Sequence, residues 1–121
     1  MLIPWTVWAG ECPALPGTYW YKNFPLEIFR FQKHGGPIEF TFRYRYDIRT
    51  YILDGKRRDI DSLLEKGNYM AYCENDNLII QINDQPIKNY YINAKKALVI
   101  EESTITPKKG LIKSKSVCPS R

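Results

Sequence analysis

Residues 38–48 alternate without a break: Ile38, Phe40, Phe42, Tyr44, Tyr46 and Ile48 are apolar or aromatic, and Glu39, Thr41, Arg43, Arg45 and Asp47 between them are polar. A period of two carried by aromatic and β-branched side chains marks a β-strand with one face in a core and the other in water. A helix would scatter both sets around its axis, because its period is 3.6. No other stretch of the chain is as long or as regular, so this one sets the fold class.

The neighbouring segments read the same way. Residues 18–21 and 26–32 have strand composition with a bend at Phe24-Pro25, and the turn at His34, Gly35, Gly36 and Pro37 joins the second of them to the long strand in a hairpin. Residues 50–53 give a short strand ended by Asp54-Gly55. Over 59–66, Ile60, Leu63 and Leu64 share one helical face, Ser62 and Glu65 have capping-box spacing, and Gly67 supplies a stop. One short helix is therefore expected there. Residues 68–73 and 77–82 then pair across the turn at Glu74, Asn75 and Asp76, with Leu78, Ile80 and Ile82 on the buried side, and 87–92 and 97–101 add two more strands. The expected fold is mainly β, with seven to eight antiparallel strands in a small partly open barrel or a sandwich and a helix over 59–66. This order of strands, helix and strands resembles that of an oligonucleotide-binding barrel, a likeness of topology with no motif behind it.

A chain of 121 residues suits a single core. The β-rich domain is expected over residues 1–102. Residues 103–121 carry five Lys or Arg and no acid, and their Ile105, Leu111, Ile112 and Val117 are too scattered to form a core. They read as a basic C-terminal arm that a partner orders. Trp5, Val7 and Trp8, in an irregular lead broken by prolines, are expected to tuck into the core or cover a sheet edge.

Charge is zoned. The net charge is +5 overall, made up of +3 over residues 1–60, −3 over 61–103 and +5 over 104–121. Such zoning favours an acidic partner. The candidate binding residues are Arg30, Arg43, Arg45 and Arg49 around the long strand, Lys56, Arg57 and Arg58 in the loop that follows, and Lys108 and Lys109 in the tail. The register of the first hairpin decides whether Arg30 or the pair Phe29 and Phe31 stands beside Arg43. Cations interleaved with exposed rings form the kind of surface on which single-stranded nucleic acid binds.

No run of 18 or more apolar residues is present, so no membrane-spanning helix is expected. The first twenty residues have no Lys or Arg and contain Pro4, Pro13 and Pro16, a pattern unlike a secretory or transit peptide. An intracellular location is the expectation. Cys12, Cys73 and Cys118 are odd in number and widely spaced, which argues for free thiols, with a bridge between Cys12 and Cys118 as the alternative.

Residues suited to catalysis are few. His34 is the single histidine and sits in a glycine turn. Asp47, Asp54 and Lys56 approximate the acid pair and lysine of a metal-dependent nuclease, but Asp54-Gly55-Lys56 is equally a turn. Neither a phosphate loop nor a nucleophile elbow occurs. The sequence thus points to a non-enzymatic protein without a cofactor that binds an acidic protein or nucleoprotein complex as accessory or inhibitor. The alternatives are a small barrel for single-stranded nucleic acid and a structural subunit of a larger assembly.

Overall fold

The structure, a computed structural model, describes residues 12–62, 65–83 and 85–121. Among these residues ten antiparallel strands form two sheets. The first contains β1 (Gly17–Tyr21), β2 (Phe24–Gln32), β3 (Ile38–Tyr44) and β4 (Asp47–Ile52) in chain order. The second contains β5 (Arg58–Asp59), β6 (Asn68–Glu74), β7 (Asn77–Ile82), β8 (Ile87–Ile92), β9 (Leu98–Thr106) and β10 (Gly110–Cys118), again with neighbours in sequence paired in space. Each sheet is a meander, because every strand pairs with its neighbour in sequence. Lys22-Asn23 and Asn75-Asp76 both have positive φ at the two central residues, as a tight two-residue hairpin requires. The bend expected at Phe24-Pro25 therefore falls just before it, and Phe24 already pairs with Tyr21.

The apolar face of β3 is buried as its alternation demands: Ile38, Phe40 and Phe42 enter one core with Leu26 and Ile28 of β2 and Tyr51 of β4. From the second sheet Tyr69, Ala71, Leu78, Ile80, Tyr90 and Leu98 enter the same core. The sheets touch at both sides without closing into a barrel. On one side the Tyr69 hydroxyl accepts the Ile52 amide at 2.8 Å, and the Ala71 carbonyl accepts that of Gly55 at 2.9 Å. On the other, the last residues run beside β1, where Trp20 donates its amide to Pro119 and Arg121 donates to Thr18, both at 2.9 Å. That contact is an isolated bridge, Tyr19 to Ser120, and not a ladder.

The ten strands exceed the seven to eight expected, the expected barrel is not formed, and several local expectations are corrected. The eleven-residue strand stops at Tyr44, because Arg45 takes φ of 56° and a turn at Arg45-Tyr46 folds the chain back so that Tyr44 faces Asp47. The turn inverts the alternation. Arg49 now opposes Phe42 on the inner side, and Ile48 opposes Arg43 on the outer side.

The helix expected over 59–66 is absent from the described residues, with Leu63 and Leu64 lying outside them. Arg58 and Asp59 instead pair with Tyr69 and Asn68, and the Ile60 amide continues the pairing to the Gly67 carbonyl at 2.9 Å. The capping-box residues serve tertiary contacts: the Ser62 hydroxyl donates to Asp47 at 2.6 Å and Glu65 pairs with Arg49 at 2.6 Å. Gly67 is not a helix stop. It takes φ of 135° at the head of β6, and a side chain there would collide with the amide group of Asn83.

The basic arm from 103 onward is β-structure too. β9 runs through the 102/103 boundary to Thr106, and β10 pairs with it from Gly110 opposite Thr106 to Cys118 opposite Leu98. The acids that the tail lacks are supplied by β9, where Glu101 lies across from Lys115. The cysteines also differ from expectation: Cys12 is bonded to Cys73, and Cys118 is free and buried. The expectation for Trp5, Val7 and Trp8 lies outside the described residues.

Phe42 stacks edge-to-face on Tyr51 and on Tyr90, with ring centroids 5.6 and 5.3 Å away. Phe42→Ala should therefore cost about 3–5 kcal/mol in chemical denaturation, and Thr41→Ala, on the opposite face, less than about 1 kcal/mol. The Cys12–Cys73 bridge spans 61 residues of sequence. Reduction should lower unfolding free energy by about 4 kcal/mol on loop entropy, read as a fall in denaturant midpoint that Cys118→Ala does not reproduce.

Candidate functional site

The register of β2 against β3 decides which residues face outward. Ile28 opposes Phe42 and Leu26 opposes Tyr44 on the inner side, so Glu27, Phe29 and Phe31 face away from the core, across from Arg43, Thr41 and Glu39. β4 extends the same outer rows with Ile48, Thr50 and Ile52, and β1 adds Thr18 and Trp20. Large apolar side chains remain uncovered there: Trp20 is 41% exposed, Phe29 48%, Phe31 55% and Ile48 56%. Single exposed hydrophobics are ordinary; here four share one sheet face.

Cations lie beside two rings of this face. The Arg43 guanidinium lies 5.9 Å from the centre of Phe29 and donates through Nε to the Glu27 carboxylate at 2.8 Å. Arg121 lies 5.2 Å over Trp20. At the end of the sheet Arg45 sits 4.2 Å over Phe24. A hollow of about 480 Å³ between Phe24, Pro25, Glu27, Arg43, Arg45 and Tyr46 opens beside these residues. Cation–ring contacts at exposed sites contribute about 0.5–1 kcal/mol each, so they hold the arginine planes against the rings without hiding them. Across the middle of the face the Thr41 and Thr50 hydroxyls share a hydrogen bond at 2.9 Å.

The nine basic residues singled out by sequence do not form one patch. Arg43 belongs to the outer face and Arg45 to its end. Arg30, on the inner-face register but beyond the core, donates to Gln32 at 3.2 Å. Arg49 is turned inward and bound by Asp47 and Glu65, each at 2.6 Å. Burial works against its charge, yet the Tyr51 hydroxyl and the two carboxylates outweigh that and hold the guanidinium more firmly protonated than usual. Its charge is thereby committed to the fold. Lys56 and Arg57 occupy the loop after β4 and Arg58 opens β5; Arg58 pairs with Asp54 at 2.5 Å and Arg57 donates to Asn68 at 2.8 Å. Lys108 and Lys109 form the β9–β10 turn.

The acids considered for metal chemistry are also apart. Asp47 opens β4 and Asp54 lies beyond its end, so the strand alone separates them by about 17 Å, and each is held by its own arginine. Their carboxyls do not converge. Residues that sequence reasoning missed are Trp20 and Ile48, both exposed on the outer face, and Arg121, which reaches Trp20 only because the C-terminal residues run beside β1. The alternation in residues 18–21 carries the signal for Trp20. Nothing local signals Arg121.

Comparison with known proteins yields no match: no family model, curated protein or solved structure corresponds to the chain.

Burial would raise the Asp47 pKa, but hydrogen bonds from Ser62 and Arg49 and the Arg49 charge carry it below the usual carboxylate value. Asp54 is lowered by its hydrogen bond from Arg58. A carboxyl whose folded pKa is depressed contributes stability above its unfolded pKa and loses it as pH falls through the folded value. Denaturant midpoints should therefore fall as pH drops below about 4, and Asp47→Asn should flatten that fall while lowering stability at neutral pH.

Proposed function

We propose that the chain is a non-enzymatic interaction module that docks a protein partner on the outer face of its four-stranded sheet, the partner presenting acidic groups around an apolar centre. The observation that carries this reading is the joint exposure of Trp20, Phe29, Phe31 and Ile48 with Arg43 and Arg121 laid over the rings. Protein interfaces concentrate their energy in aromatic and arginine side chains of this kind, ringed by polar groups that exclude water. The Phe rings supply apolar area, and the arginines select carboxylates at the rim. On this reading the two packed sheets act as a rigid sandwich that presents the face.

The sheet face also offers cations and rings to single-stranded nucleic acid, the second partner class expected from sequence. Two features favour protein. Arg43 is already paired with Glu27, and Glu39 stands in the adjacent row, so the face offers a mixed rather than a uniformly positive field. The Cys12–Cys73 bridge further supports an oxidising compartment in place of the intracellular location first expected, outside the reducing compartments where most nucleic acid resides.

Phe29→Ser combined with Phe31→Ser should reduce partner binding at least tenfold and leave the thermal midpoint within a few degrees, because both rings are outside the core. The check is affinity capture from the source organism with quantitative comparison of three baits: the native chain, this variant, and Arg57→Glu with Arg58→Glu as control. A protein retained by the native chain and the control but lost by the Phe variant, with or without nuclease, supports the reading. Nuclease-sensitive recovery of nucleic acid, or equal recovery by all three baits, contradicts it.

A further inference from the structure

The inner faces of the two sheets do not stay apolar to their ends. By register, Asp47 and Arg49 follow Tyr51 on the inner side of β4. Opposite them, Lys88 and Tyr90 of β8, Ile100 and Glu102 of β9, and Ser114 and Ser116 of β10 lie on the inner side of the second sheet. Between these rows the sheets part around a cavity of about 200 Å³, floored by Phe42, Tyr44, Tyr51 and Tyr90. Tyr21 closes one side, with the Tyr44 hydroxyl donating to its carbonyl at 3.0 Å. An inward position at the end of a sheet is normally filled by another apolar side chain. Here six polar residues take those inner rows, with Ser114 and Ser116 exposed and Lys88 and Glu102 half-buried, so the space between the sheets is a cleft that opens to water above the rings.

The polar groups differ in how they are used. Asp47 and Arg49 satisfy each other, with Ser62 and Glu65 completing their set. The side chains of Lys88, Glu102, Ser114 and Ser116 make no hydrogen bond or ion pair among the described residues, although Lys88 and Glu102 are direct cross-strand partners. The cavity therefore presents one free ammonium, one free carboxylate and two hydroxyls above aromatic rings.

We propose that this cleft binds a small neutral polyhydroxylated ring, a single saccharide unit. A space of about 200 Å³ that opens to solvent admits one substituted six-membered ring. An organic anion would gain Lys88 but meet Glu102 across the ladder, and an organic cation would meet the reverse. An apolar ligand would strip water from both charges without replacing it. A sugar matches the lining in each respect: its C–H face lies on the tyrosine rings, its hydroxyls accept from the ammonium, donate to the carboxylate and do both with serine. The site is on the opposite side of β3 and β4 from the docking face, so the two can be occupied together.

The test is an NMR titration of the intact, disulfide-bonded chain with D-glucose, D-galactose, D-mannose and N-acetyl-D-glucosamine in turn, and with sodium benzoate as an aromatic anion. The expected result is a saturable shift of the Tyr90, Ile100, Ser114 and Ser116 amides with at least one sugar. Glu102→Gln, which keeps the shape of the side chain, should weaken that binding about tenfold, and Phe29→Ser should leave it unchanged. The thermal midpoint of each variant shows that it remains folded. Absence of saturable shifts with all four sugars, saturable binding by benzoate alone, or unchanged affinity in Glu102→Gln would overturn the proposal.

Discussion

A chain of edge-to-face aromatic contacts crosses the core. Tyr69 packs on Tyr51, Tyr51 on Phe42 and Phe42 on Tyr90, with ring centroids 5.0, 5.6 and 5.3 Å apart. Phe42 and Tyr51 belong to the first sheet, and Tyr69 and Tyr90 to the second, so the rings interlock the two layers along β3, β4, β6 and β8. Such geometry is worth about 0.5–1.5 kcal/mol per pair beyond area buried. Its larger consequence is directional: with Phe42 inward, every neighbour on β2, β3 and β4 has its face assigned.

That assignment produces both proposed surfaces. Facing outward, the alternate residues of β2 and β3 give Phe29, Phe31 and Arg43, and β4 adds Ile48 after the turn at Arg45-Tyr46 has inverted its parity. Facing inward, the same inversion carries Asp47 and Arg49 to the mouth of the core, where an apolar run would have sealed it. A two-residue turn thus moves one hydrophobic side chain out and one ion pair in. The polar cleft and the apolar face are two results of a single change of register.

The strands themselves were largely legible. Alternation and turn residues marked most of β1 to β4 and β6 to β9, and the boundaries 77–82 and 87–92 match the observed strands. The errors have identifiable causes. The alternation of 38–48 runs through the turn because Arg45 and Tyr46 continue the polar–apolar pattern, and only the positive φ of Arg45 breaks it. The helical pattern around Ile60 lost to pairing of Arg58 and Asp59 with β6 and to use of Ser62 and Glu65 by Asp47 and Arg49. β10 was hidden because its residues are exposed up to Cys118, so the strand has no buried alternate face to betray it. For the candidate site, sequence leaves two hairpin registers open, and the observed one sets the Phe pair beside Arg43. The pairing of Arg49 with Asp47 is local, but its pairing with Glu65 spans 16 residues, which no local pattern carries.

The Phe42 side of β3 faces the core and the Phe29 and Phe31 side is free. Proton–proton contacts between assigned aromatic rings in a nuclear Overhauser spectrum test this directly. Cross-peaks are expected from Phe42 to both Tyr51 and Tyr90, and none from Phe29 or Phe31 to any ring of the second sheet. Cross-peaks joining Phe29 or Phe31 to Tyr69 or Tyr90 would reverse the faces of the first sheet and contradict both the docking surface and the cleft.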